Sequence, residues 1–156
     1  MARSRRIMSA MTNPVDFNKH SLELLIRAKR DLYTAQQHRI WYNAGNKTDD
    51  YNRTNLDSCA YNLQQSVEKI LKSIMSFSCV NYEYTHNIVD LAAAVNADVP
   101  AFKINNGIKN RMVSITQWET IGRYGGFPFP AKDIFDTIPV VMTLFKRAVA
   151  FTGFLL

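Results

Sequence analysis

"LDSCAYNLQQSVEKILKSIM", residues 56–75, is the stretch that decides how the chain reads. It contains neither Gly nor Pro, and Leu56, Cys59, Ala60, Leu63, Val67, Ile70, Leu71, Ile74 and Met75 recur at steps of three and four. That spacing draws one apolar stripe along an α-helix, whereas a strand would alternate at every second residue. Gln64, Glu68 and Lys72 fall together on another face, with Glu68 and Lys72 as an i,i+4 pair. The predicted helix runs from Tyr51 to Ser78.

Outward from it, the same period continues. "DFNKHSLELLIRAKRDLYTAQQHRIWY" (16–42) again lacks Gly and Pro. Leu22, Leu25, Ile26, Lys29 through its aliphatic stem, Leu32, Tyr33, Gln36 and Ile40 form its predicted inner stripe. "NAGNKTDD" (43–50) supplies breakers between the two helices. After the short connection "VNYEY" (80–84), Thr85 is placed to cap a third helix, with Ile88, Leu91, Ala92 and Val95 inward.

Residues 101–124 look helical at both ends, with Gly107 marking a break, and "GGFPFP" (125–130) interrupts the chain. Pro130 suits the first turn of a last helix, in which Pro139 must kink the axis or remove one backbone hydrogen bond. No segment alternates with period two. The expected fold class is all-α, an up-and-down helical bundle of four to five helices. Residues 1–13 read as a disordered basic leader and 14–156 as a single domain.

Composition narrows the function classes. The formal net charge is +6, but Arg3, Arg5 and Arg6 supply three of those charges, leaving a surplus of +3 from Pro14 onward. That permits an anionic ligand without demanding nucleic acid. The N-terminus has arginines but no apolar core, so it is no secretory signal. Lys146 and Arg147 divide the apolar C-terminus into runs far shorter than the roughly 20 residues that span a bilayer, so no membrane role is expected. Cys59 and Cys79 read as reduced thiols of a cytoplasmic protein, and with three scattered histidines they give no metal-ligand spacing. No P-loop, dinucleotide fingerprint, H-E-x-x-H or G-x-S-x-G occurs, and "GRYGG" (122–126) fails as a phosphate loop in spacing and context. No cofactor is expected.

What remains is a set of polar residues at helix ends. His86 follows the predicted cap Thr85 at the positive end of a helix, where an anion is favoured. Arg123 closes the fourth helical segment and Tyr124 follows it. Each also has a plain structural reading: a capping histidine, an arginine favoured by the dipole at a helix C-terminus, and a half-buried ring.

Three spaced segments go further. "YNLQQSVEKILKSIM" (61–75), "YEYTHNIVDLAAAV" (82–95) and "GRYGGFPFP" (122–130) together resemble the HEPN family, whose name refers to nucleotide binding in higher eukaryotes and prokaryotes. The family pattern is Gln-Gln-x-x-Glu-Lys-x-x-Lys on a helix, Thr-His before a Leu-rich helix, then Arg-Tyr-Pro-Gly. Here Gln64, Gln65, Glu68, Lys69 and Lys72 match the first, Thr85 and His86 the second, Arg123 and Tyr124 the third. Gly125 stands where the pattern has proline.

The resemblance implies a helical bundle, often a homodimer, frequently encoded beside a minimal nucleotidyltransferase in a toxin–antitoxin-like pair. It implies a nucleotide or phosphate ligand at Lys69, Lys72, Thr85, His86, Arg123 and Tyr124. Many members are ribonucleases with an Arg-x(4–6)-His motif. In this chain no arginine precedes His20, His38 or His86 at that spacing, and no histidine follows Arg123. The expectation is therefore a ligand-binding, non-catalytic protein. A dimerisation module is the alternative, with the tail "AFTGFLL" (150–156) as its interface, and a ribonuclease toxin comes third.

Overall fold

The computed structural model describes residues 12–124 and 129–156, with only the backbone described for 121–123. Among the described residues the chain forms six helices: α1 (Pro14–Ala44), α2 (Asp50–Phe77), α3 (Ile88–Asp98), α4 (Asn106–Lys109), α5 (Met112–Tyr124) and α6 (Ala131–Thr152). The all-α expectation holds, with the short α4 as the added element. Most of the expected leader lies outside the described residues, and Asn13 is already the cap of α1, its side chain accepting from the Val15 amide.

α2 is the axis of the molecule. It packs against α1, α3, α5 and α6, so its whole apolar stripe from Leu56 to Met75 is buried. The face assigned to Gln64, Glu68 and Lys72 is buried as well. On a face closed off from solvent, polar residues must find partners inside the protein.

α1 and α2 run antiparallel, joined by hydroxyl-to-carbonyl bonds at a regular register. Ser76 donates to the Phe17 carbonyl at 2.8 Å, Ser73 to the Ser21 carbonyl at 2.9 Å, and Ser66 to the Ala28 carbonyl at 2.9 Å. Ser21 Oγ returns a bond to the Ser73 carbonyl at 2.9 Å. Small residues at Ser21, Ala28 and Ala35, seven apart, let the backbones approach closely enough for these contacts. This turns α1 relative to the sequence expectation. Its buried face is Phe17, Ser21, Leu24, Leu25, Ala28, Leu32 and Ala35, while Ile26, Tyr33 and Ile40 are exposed. Size complementarity outweighed side-chain hydrophobicity in choosing the face.

Helix ends differ from the reading in two places. Asn87, not Thr85, caps α3, accepting from the Val89 and Asp90 amides, while Thr85 Oγ1 accepts from the Asn87 amide at 3.1 Å. Asn and Asp are as good caps as Thr, and a two-residue shift puts Ile88 on the core side. The break expected at Gly107 falls later, at Asn110–Arg111. Gly107 sits inside α4 because a Cβ there would lie 2.7 Å from Val140 Cγ1 of α6. α2 ends in a Schellman motif: the Val80 amide reaches the Met75 carbonyl and the Cys79 amide that of Ser76, both at 2.9 Å. The left-handed position of that motif is occupied by Cys79, at φ 56°.

α6 continues through Pro139 and ends on Gly153 at φ 72°. Phe151 in its last turn and Phe154 past the cap pack edge-on against Phe77, and Phe151 also meets Phe102. Much of the apolar tail is therefore spent within the chain. No described helix is long and apolar enough to cross a membrane.

Candidate functional site

The polar face of α2 organises the site. Glu68 is buried, and each of its oxygens is used. Oε1 accepts from Lys72 Nζ at 2.6 Å, while Oε2 accepts from His86 Nδ1 at 2.9 Å and from Gln64 Nε2 at 3.1 Å. Gln64 Nε2 also reaches the His86 carbonyl at 3.3 Å, and its own Oε1 accepts from Gln65 Nε2 at 2.7 Å. Burial alone would raise the Glu68 carboxyl, but Lys72 and His86 outweigh it and hold the group below its ordinary range. Glu68 is thus an anion with acceptors only, which forces the proton of the His86 ring onto Nδ1 when the ring is neutral. Nε2 is left as the ring's second nitrogen, on a side chain 30% exposed.

Around this centre the walls are aromatic. Tyr84 stands edge-on to His86 with centroids 5.2 Å apart, and Lys72 Nζ lies over the Tyr84 and Tyr82 rings at 5.2 and 5.8 Å. Tyr82 OH pairs with His20 Nε2 at 2.8 Å. Burial, with the Glu68 charge, pushes the Tyr82 phenol up to about 12, so it stays protonated. Burial lowers the His20 ring from its ordinary value, so Tyr82 donates and His20 accepts. Glu119 of α5 approaches His86 Nδ1 to 3.9 Å. Arg123 follows Glu119 by four residues on α5, so its backbone position shares that helix face one turn further on.

The sequence candidates therefore separate. Lys72 and His86 meet through Glu68, and Thr85 adjoins them in the chain. Lys69 turns toward α1 instead, where it binds Asp31 Oδ2 at 2.6 Å, and it also donates to Gln65 Oε1 at 3.0 Å. Tyr124 is highly exposed, and the Arg123 side chain and residues 125–128 lie outside what is described. Glu68, Gln64, Tyr82, Tyr84 and Glu119 were not singled out as functional from sequence. The 64–68–72 spacing on one helical face was the visible signal for Gln64 and Glu68, while Tyr82, Tyr84 and Glu119 come from other segments and gave none. Among the described residues no group of His, Cys, Asp and Glu side chains could hold a metal ion.

The bundle with a carboxylate-anchored histidine at the entrance to α3 defines an all-α domain whose polar centre is built on one buried helix. The HEPN domain model matches residues 43–149, and the chain belongs to that family. No curated protein and no solved structure matches it.

Proposed function

We propose that this protein binds a nucleotide or a nucleotide-like phosphate on the face bearing His86, and acts beside a minimal nucleotidyltransferase in a toxin–antitoxin-like pair. One observation carries the reading: the buried Glu68 fixes His86 through Nδ1 and leaves Nε2 outside that bond, on a side chain 30% exposed beside the exposed ring of Tyr84. A ring held this way contributes one oriented nitrogen to a ligand at little entropic cost. Tyr84 offers a stacking surface, and Lys72 Nζ, paired with Glu68, lies over its ring at 5.2 Å. Position 123 at the end of α5 adds an arginine suited to bidentate phosphate contact. Family membership supports the same class of ligand.

Calorimetry with ATP, GTP and short oligonucleotides tests it. Binding is expected for the wild type and is expected to weaken at least tenfold in His86→Ala and Arg123→Ala. No heat of binding from the wild type at millimolar ligand discards the reading.

A second reading, a dimerisation module, is favoured by a separate observation. Ile26, Tyr33 and Ile40 stand seven residues apart on the exposed face of α1, beside a groove lined by Met142 and Phe145 of α6. Sedimentation equilibrium on Tyr33→Glu and Ile40→Glu decides it: a dimer that survives both changes does not use this face.

A further inference from the structure

α1 and α6 pack against each other without closing the space between them. Two adjoining hollows of about 200 and 420 Å³ lie there, sharing Gln36 and Met142, and so form one groove. Its floor is apolar, with Leu32 of α1 facing Ile138, Met142 and Phe145 of α6. Along the lip, α1 carries Ile26, Tyr33 and Ile40, seven residues apart and 36%, 63% and 57% exposed. Lys29 and Gln36 fall between them at steps of three and four. That is the seam with which one helix receives another, and no described segment of the chain covers it. From Lys29 to Asn43 the groove runs about 21 Å along α1, room for a partner helix of about four turns.

The charge of the groove has one sign. Lys29, Arg39 and Lys146 line it, and no carboxylate does. Between Leu24 and Ala44, α1 holds one acid, Asp31, which is bound to Lys69 of α2. From Thr137 to Thr152, α6 holds none. Among the described residues no carboxylate pairs with Lys29, Arg39 or Lys146. A second copy of the chain would bring the same cations to the contact, setting like charges against one another. An anionic bilayer has the right sign but is flat, whereas the apolar floor is recessed between two helices.

We infer that this groove docks an amphipathic helix of a partner protein, apolar at positions i, i+3, i+4 and i+7 and flanked by Glu or Asp. The apolar residues of the guest enter between Tyr33 and Ile40 on one side and Met142 and Phe145 on the other. Its carboxylates meet Lys29, Arg39 and Lys146 at the rim. The inference shares no residue with the His86 site, and it gives to a partner the face that the dimer reading gives to a second copy.

The Met142 methyl group, 13C-labelled, reports occupation of the floor, and Met142→Leu identifies its signal. The probe is a synthetic Leu/Glu helix of about 18 residues with leucine at that spacing. A scrambled peptide of the same composition and a Leu/Lys counterpart are the controls. The Leu/Glu helix is expected to shift the methyl saturably, more weakly as salt is raised, and the controls to leave it in place. Lys29→Glu with Lys146→Glu changes two exposed positions. That pair is expected to weaken the Leu/Glu helix at least tenfold and to admit the Leu/Lys helix instead. The inference is overturned if the Leu/Glu helix does not move the methyl at millimolar concentration, if either control moves it equally, or if the double reversal binds as the parent does. A dimer in sedimentation equilibrium that Ile40→Glu splits also overturns it, because a second copy then fills the groove. So does an equal methyl shift on anionic phosphatidylglycerol vesicles.

Discussion

His86 donates from Nδ1 to Glu68 Oε2 at 2.9 Å, across eighteen residues of sequence, and so ties the approach to α3 onto the buried face of α2. The same carboxylate holds Lys72 on its other oxygen. One anion thus neutralises a buried lysine, orients a histidine and fixes where α3 begins.

The first prediction contrasts the two acid–lysine pairs of α2. Glu68 and Lys72 are both buried, so Glu68→Gln strands an ammonium that cannot reach water and is expected to cost about 3 kcal/mol. Asp31 and Lys69 are each about one-fifth exposed, and burial raises the Asp31 carboxyl despite Lys69 beside it. Asp31→Asn is therefore expected to change stability by less than about 1 kcal/mol at pH 7. Urea denaturation of both variants checks the contrast, and equal losses would contradict it.

Acid stability follows from the directions of two shifts. His20 is lowered in the folded state, so below its ordinary value of 6.5 the unfolded chain takes up the proton first, and stability declines as the pH falls through that window. Glu68 is also lowered, so its contribution is fully present above its ordinary value of 4.5 and is lost as the pH falls further, through its folded value. Denaturation midpoints followed from pH 8 down to about 2 should show both limbs. His20→Gln, which retains an acceptor for Tyr82 but does not titrate, should flatten the first limb and leave the second.

Cys79 occupies the left-handed position at the end of α2 with φ 56°, a conformation that glycine adopts without penalty. Its side chain is exposed, so nothing is lost by removing it. Cys79→Gly is expected to raise stability by about 1 kcal/mol, read as a higher midpoint in thermal unfolding. It also removes the one exposed thiol of the chain. Cys59, within α2 and twenty residues earlier, is buried, and burial pushes its thiol up to about 12.

At Gly107 the expected outcome is coupled. Alanine there gains helix propensity but places a Cβ 2.7 Å from Val140 Cγ1, so Gly107→Ala is expected to cost about 2 kcal/mol. Val140→Ala opens the space. The double variant should recover most of the Gly107→Ala loss, and a double-mutant cycle with no coupling would show that the contact relaxes freely.

Much of the architecture was legible because helical periodicity is local. The stripe from Leu56 to Met75 and the inward set Ile88, Leu91, Ala92 and Val95 are all buried, and the loops fall where Gly, Asn and Pro cluster. The face of α1 was misjudged because periodicity ranks residues by hydrophobicity, while close helix contact rewards Ser21, Ala28 and Ala35 for being small. The cap of α3 was misplaced because Thr85 and Asn87 are both competent caps, and which amide each meets depends on how the segment enters the bundle.

By itself the sequence determined the class of fold, the central helix and the family pattern that includes Lys72, His86 and Arg123. Only the tertiary structure decided which of those residues act together. Lys69 and Lys72 are neighbours in one motif and about 60° apart around the helix, so which way each amine leans is set by the acid within reach: Asp31 on α1 for one, Glu68 toward His86 for the other. Whether Glu68 is a solvated surface charge or a buried anchor is likewise set by what surrounds α2. That surrounding is formed by α1, α3, α5 and α6 together, and no single segment encodes it.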